Sequence, residues 1–210
     1  MICQKAMSKG TELMELGEIV EGVSVPPHPR GISLQGKLVV LKPLKASDYS
    51  KELFEANSLD KEGLNWTYLH YGPFETEVEY ANWIMSFERG DDPIFFAIIS
   101  KKLDKAVGIA SYLRIKPNDC SIEVGQINYS PLLQNTTEAT EAMYLMMENV
   151  FENLKYRRYE WKCNALNLKS RRAAQRLGFS YEGIFRQMSI SKGRNRDTAW
   201  FAVIDTMDLS

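Results

Sequence analysis

The chain has 210 residues, 44% of them hydrophobic and 11% aromatic, enough to bury a core in one α/β domain with or without an extra N-terminal arm. Its 26 Lys and Arg stand against 27 Asp and Glu, which argues against a general nucleic-acid or membrane-surface protein. Cysteines occur only at Cys3, Cys120 and Cys163, without C-x-x-C spacing, which fits a reducing cytoplasmic setting, and no apolar run approaches the roughly 20 residues of a membrane span.

Residues 1–33 read as an N-terminal arm and residues 34–210 as the domain. In the arm, Lys5, Lys9, Glu12 and Glu15 interrupt any leader-length apolar run, and Val25-Pro-Pro-His-Pro-Arg-Gly31 breaks regular structure, so the arm packs on the domain or stays mobile. A strand is expected at Lys37–Lys42, followed by a helix capped by Ser47 with Leu53 and Phe54 inward. A second helix should start at a capping box of Thr76 and Glu79, turn Ala81, Ile84 and Met85 inward, and stop at Gly90. Pro93–Ile99 and Ala106–Leu113 read as strands around a turn at Leu103–Lys105.

Ser121–Tyr129 is a further strand, and Gly125 in its middle marks a bulge or a close ligand approach. The turn Ser130–Thr140 leaves that strand and opens a helix buried through Ala139, Met143, Met146, Val150 and Leu154. Its free N–H groups and the positive end of the helix dipole suit an anion such as a pyrophosphate. Glu138 and Glu141 in the first helical turn favour the dipole but would repel a phosphate that they faced. A strand at Tyr156–Cys163 and a short helix at Asn167–Leu177 follow, the helix ended by Gly178 with Phe179 packing back. Tyr181–Ser191 and Arg196–Thr206, joined by Lys192–Asn195, close the sheet as a hairpin. Between Arg157 and Arg196 stand eleven Lys or Arg and two acids, a field that suits a nucleotide's phosphates or is only a solvated basic face.

Four stretches together resemble the GCN5-related N-acetyltransferases (GNAT), in particular the branch acting on ribosomal-protein N-termini. They are Tyr71-Gly-Pro-Phe74, Ile122-Glu-Val-Gly125, the run Asn164 to Phe179 with Glu182-Gly183 behind it, and Lys192-Gly-Arg-Asn-Arg-Asp-Thr-Ala-Trp200. The resemblance spans Leu34 to Asp205. It implies a mixed, mostly antiparallel central sheet of about seven strands, splayed in the middle, with helices on both faces. It also implies transfer of an acetyl group from acetyl-CoA to a primary amine, directly in a ternary complex, with an amine-bearing small molecule or a protein N-terminus as acceptor and a monomer or homodimer as the working form. The alternative is a non-catalytic acyl-CoA-binding sensor. An RNA-binding role for the basic face lacks the interleaved exposed aromatics that stack bases.

The family's acyl-CoA loop reads Gln/Arg-x-x-Gly-x-Gly/Ala, and the corresponding residues are Gln134, Thr137 and Ala139, with threonine in place of the middle glycine. A helical or extended Thr137 leaves a backbone cradle intact, whereas a positive φ there would be resisted. The resemblance implies cofactor contacts from Gln134, Asn135, Thr136, Thr137, Glu138, Ala139 and Thr140, pantetheine pairing along Ile127, Asn128 and Tyr129, and further contacts from Asn167, Ser170 and Arg172. Ser170 matches the position of the acid that protonates the leaving thiolate; alternatively Asn167 and Ser170 only cap a helix. Lys169, Arg172 and Arg176 share a helix face and meet phosphate or solvent. Glu123, between Ile122 and Val124, is the candidate base, either raised in pKa or paired with an arginine. Trp66, Tyr68, Tyr71 and Trp83 wall an acceptor pocket or pack the core. With only His28 and His70 in the chain, no His-rich metal site and no metal are expected.

Overall fold

The strand-forming runs meet in one eight-stranded sheet in the computed structural model, which describes residues 16–22 and 24–205. In chain order the elements are β1 (Leu34–Gln35), β2 (Val39–Pro43), α1 (Ala46–Asn57), a 3₁₀ turn at Leu64–Trp66, α2 (Glu77–Met85), β3 (Ile94–Ser100), β4 (Lys105–Lys116), β5 (Ser121–Tyr129), α3 (Thr137–Glu148), β6 (Arg158–Asn164), α4 (Leu168–Arg176), β7 (Ser180–Ser191) and β8 (Arg194–Ile204). The sheet order is β1-β2-β3-β4-β5-β6-β8-β7. Every neighbouring pair is antiparallel except β5–β6, which is parallel because α3 carries the chain back between them. The strand beyond the expected seven is the two-residue β1.

Two apolar clusters sandwich the sheet. On one face Met143 and Met146 of α3, with Val150 and Leu154 from the π-helical turn Asn149–Asn153 and its cap that continue it, pack with Phe96, Tyr112, Ile122, Tyr159 and Phe201, as their three- and four-residue spacing requires. On the other, Leu53, Tyr80 and Ile84 from α1 and α2 cover Phe95, Ala97 and Ile109. Among the described residues this second cluster takes no buried member from β5, β6 or β8, so the far half of that sheet face is free to carry polar chemistry.

Local capping departs from the expected pattern at three points. α1 starts after Lys45, not Ser47; its first N–H, on Ala46, donates 2.7 Å to the Glu88 carboxylate, so a tertiary partner replaces the local cap. Thr76 does accept the Glu79 N–H at 3.2 Å, but Glu79 reaches back to the N–H of Glu75. Met85 is 51% exposed and ends α2 well before Gly90, and the helix buries Tyr80 and Ile84 instead. At the end of α4 the expectation holds: Gly178 takes φ 90°, its N–H donates to Gln175 and the Phe179 N–H to Ala174, a Schellman ending that seats Phe179 on Tyr159 and Trp161.

The arm is described only in part. Pro26 and Pro29 are buried, His28 Nε2 lies 2.9 Å from the Asp91 carbonyl, and Arg30 donates to the Gly90 carbonyl, so this stretch lies along the loop after α2. Residues 1–15 and the expected strand end at Thr206 lie outside the described residues. No described helix is long and apolar enough to cross a membrane.

Candidate active site

β5 parts from β6 halfway along its length. The two pair from Ser121↔Arg158 to Val124↔Trp161 and no further, while β6 continues to Asn164 bonded to β8. On its other side β5 shifts register against β4 between Ser111 and Ile109, and Gln126 takes φ 52°. The bulge expected at Gly125 is therefore present with Gln126 as its left-handed residue, and a Cβ on Gly125 would sit 3.0 Å from Leu113 Cδ2. Beyond the bulge, Gln126 to Tyr129 present an edge without β6, and both amide atoms of the buried Asn128 lack a partner among the described residues.

The slot leads to the N-terminus of α3. Thr136 caps the helix, accepting the Ala139 N–H at 3.1 Å and donating to the Leu133 carbonyl at 2.7 Å. Asn135 carries the positive φ, 59°, and Thr137 is the first helical residue, so the threonine in place of glycine sits in ordinary helical backbone. The leading N–H groups of Thr137 and Glu138 have no intrahelical acceptor and remain available to an anion. Both acids of this turn are spent elsewhere. Glu138 accepts from Ser100 Oγ at 2.6 Å, and Glu141 accepts the N–H groups of Lys37, Leu38 and Val39 at 2.9, 2.7 and 2.8 Å. Burial pushes the Glu141 carboxyl up, but the three N–H donors and Lys101 together hold it below the ordinary value. Gln134 donates to Asn65 Oδ1 at 2.5 Å and to the Tyr129 carbonyl at 2.9 Å, and Arg176 donates to Thr140 Oγ1 at 3.1 Å, which brings α4 to the same end. Arg172 and Lys169 are exposed on α4.

At the other lip, Asn167 Oδ1 accepts the Ser170 N–H at 3.1 Å, a true helix cap that leaves the Asn167 amide N–H groups uncommitted. Trp161 donates its indole N–H to Ser170 Oγ at 2.9 Å.

Glu123 is both paired and raised. Arg114 donates to Oε1 at 2.6 Å, and Lys162 Nζ stands 2.8 Å from Oε2 and 2.6 Å from Glu160, over the Trp200 ring. Glu160 in turn meets Arg158, which continues to Glu182. Burial raises the Glu123 carboxyl above its ordinary value and outweighs Arg114 and Lys162, which pull it down.

Of the four aromatic candidates, three belong to one packed group: Tyr71 stacks on Trp83 at 4.2 Å and meets Trp66 edge-on at 5.9 Å. The fourth, Tyr68, reaches across the slot to the Leu166 carbonyl at 3.3 Å. Together residues 65–72 form a strap over the bulge. Tyr71 OH donates to the Gln126 carbonyl, Lys192 Nζ to the carbonyls of Trp66 and Gly72, and Arg196 to that of Tyr68. His70 sits between Ser191 Oγ and Arg196 Nη1, each 3.2 Å away. None of Arg114, Gln126, Trp161, Lys162, His70, Lys192 and Arg196 is assigned a role by sequence reasoning, although the closing motif Lys192 to Trp200 held two of them. A cavity of about 240 Å³ lined by Phe54, Asn57, Trp66 and Tyr80 lies behind the strap and away from the slot. Among the described residues no three His, Cys, Asp or Glu stand together as a metal site would need.

Residues 39–180 match the family profile described as Acetyltransferase (GNAT) domain. A GCN5-related N-acetyltransferase from Brucella melitensis is 43% identical, superposes with a TM-score of 0.86, and the match covers 89% of this chain and 85% of that one. A probable GNAT-family acetyltransferase from Chromobacterium violaceum is 34% identical with a TM-score of 0.84, covering 93% of this chain and 98% of its own. The Microcin C7 self immunity acetyltransferase MccE, solved with acetyl-CoA and AMP, shares the fold at 18% identity and a TM-score of 0.71 over 80% of this chain and 93% of that one. No curated protein matches this chain.

Proposed function

The chain belongs to the GNAT family of acetyltransferases, and from that premise we propose that it moves an acetyl group from acetyl-CoA to a primary amine directly, within one ternary complex. The observation that carries this reading is the end of the β5–β6 ladder at Val124↔Trp161, opposite the N-terminus of α3. An unpaired strand edge offers amide bonds to pantetheine, and the helix start offers N–H groups to a pyrophosphate.

The Gln134–Thr140 turn, including Asn135, Thr136 and Ala139, would hold the pyrophosphate by backbone, with Arg172 and Arg176 of α4 adding charge. Ile127, Asn128 and Tyr129 with the free amide of Asn167 would hold the pantetheine. Acetyl-CoA supplies the thioester acyl group. Ser170, fixed by Trp161, would hold its proton toward the sulfur, and the raised Glu123 carboxylate would take the proton of the acceptor's ammonium. Trp66, Tyr71 and Trp83 would support the acceptor wall from beneath, while Tyr68 lines it. The acceptor is an amine-bearing small molecule or a protein N-terminus.

CoA at a hundred times its dissociation constant should stabilise the fold by about 2.7 kcal/mol in a thermal-shift measurement. No response at millimolar CoA would remove the proposal. Direct transfer requires intersecting initial-rate lines and no acetylated protein by intact mass without acceptor; parallel lines with a covalent adduct would replace it by a two-step route.

A further inference from the structure

Arg196, Thr198 and Trp200 alternate along β8 onto one face, and Lys162 lying over the Trp200 ring identifies that face as the one carrying Glu123. Arg196 is half-buried there under the strap. One of its terminal nitrogens donates to the Tyr68 carbonyl and meets His70 Nε2, and among the described residues no carboxylate lies within ion-pair distance of the guanidinium. Glu123, the nearest acid along this face, is already shared by Arg114 and Lys162. His70 cannot balance the charge, because an imidazole is either neutral or cationic, and burial and then Arg196, Arg114 and Lys192 lower its pKa. Lys192 adds a further cation to the strap, held by two carbonyls and, among the described residues, by no acid.

A partly desolvated guanidinium without a counter-ion is costly, and its remaining N–H fork matches the two oxygens of a carboxylate. We propose that Arg196 anchors a carboxylate carried by the acceptor close to its reacting amine, so that the acceptor is an amino acid or a peptide with an acidic N-terminal residue. The inference rests on the acetyltransferase reading and narrows it. In this arrangement the ammonium is directed towards Glu123 and the carboxylate towards Arg196, on the one sheet face that the strap covers. A polyamine would bring only positive charge to Arg196, the one cation of this face that is matched by no acid among the described residues, since Arg114 and Lys162 already share Glu123.

The test pairs each acceptor with its uncharged twin: free amino acids against their amides, and peptides beginning Asp or Glu against those beginning Asn or Gln. Turnover is read as CoA thiol release, and binding as thermal shift with the N-acetylated acids and amides in the presence and absence of CoA. The acid member of at least one class should exceed its twin by about 100-fold in kcat/KM, and the class that shows it names the source of the carboxylate. Arg196→Gln should collapse that ratio below about 10-fold. Ser191→Ala, which loosens the strap at His70 without removing charge, should leave the ratio in place, whereas an Arg196 that only clamps the strap would lower both twins alike. Acids and amides that behave identically in both readouts, or a preference for polyamines, would overturn the proposal while CoA binding still upheld the transferase. Absence of any CoA response would instead remove the transferase, and the acid-to-amide comparison by thermal shift would still decide on Arg196.

Discussion

Trp161 Nε1 donates to Ser170 Oγ across 2.9 Å. An indole N–H can only donate, so the serine oxygen must accept, and the serine's own proton is directed elsewhere, to the neighbouring Cys163 sulfur or to a bound thioester sulfur in its place. If that proton goes to the departing sulfur, Ser170→Ala should lower kcat by about 10²-fold with little change in KM for acetyl-CoA, because the bond strengthens only as charge builds on sulfur. Steady-state kinetics under conditions where chemistry limits turnover will decide; wild-type kcat rules the acid role out.

Asn167 has two separable duties. Its oxygen caps α4 through Ser170, and only its N–H groups are free for a ligand. Asn167→Asp should keep the cap and the melting temperature yet weaken CoA binding several-fold, whereas Asn167→Ala should also lose about 1 kcal/mol of stability. Equal CoA affinity in wild type and Asn167→Asp would leave this side chain as a cap alone.

The acyl-CoA turn places its strain at Asn135 and not at Thr137. Thr137→Gly should therefore bring no gain in CoA affinity, while Asn135→Ala should destabilise the protein by about 1 kcal/mol and Asn135→Gly should be tolerated. Tighter CoA binding by Thr137→Gly, measured by calorimetry, would show that the threonine does disturb the cradle.

Glu141 ties α3 to the β1–β2 turn through three backbone N–H groups, which hold its carboxyl below 4.5 against the effect of burial. A folded-state value below the unfolded one means that the stabilisation is complete above about pH 4.5 and fades as pH falls through the folded-state value. Glu141→Gln should cost about 1–2 kcal/mol at pH 7, discounted for its solvent exposure. The difference from wild type should shrink below pH 4.5. A gap that stays constant from pH 7 to pH 4 in denaturant titrations would assign the effect to shape and not to charge.

Periodicity was a good guide wherever one face decided the outcome. Ala139, Met143, Met146, Val150 and Leu154 are all buried because a helix against a sheet leaves no other use for such a stripe. Gly178 and Phe179 were legible for the same local reason. Ser47 misled because the first N–H of α1 found Glu88, forty-two residues away, and no local pattern carries that information. Met85 misled because the helix stopped one turn early. At the site, the carboxylate of Glu123 was visible between its apolar neighbours, but its partners Arg114 and Lys162 come from two other strands. The strap is wholly tertiary: Tyr68, His70, Lys192 and Arg196 meet across more than a hundred residues of chain, and only the closing motif hinted at it.

Within the sheet, four residue pairs between β5 and β6 are the whole joint between the strands that precede α3 and those that follow it. Each antiparallel neighbour of that joint is longer, so sub-global opening is expected to separate the two halves of the sheet at this seam. A substrate seated in the slot would lie against both halves and act as a splint across it. Amide hydrogen exchange at Val124 and Trp161 would then slow on addition of CoA while exchange in the β7–β8 hairpin stayed unchanged, turning this short central joint into a gauge of how full the slot is.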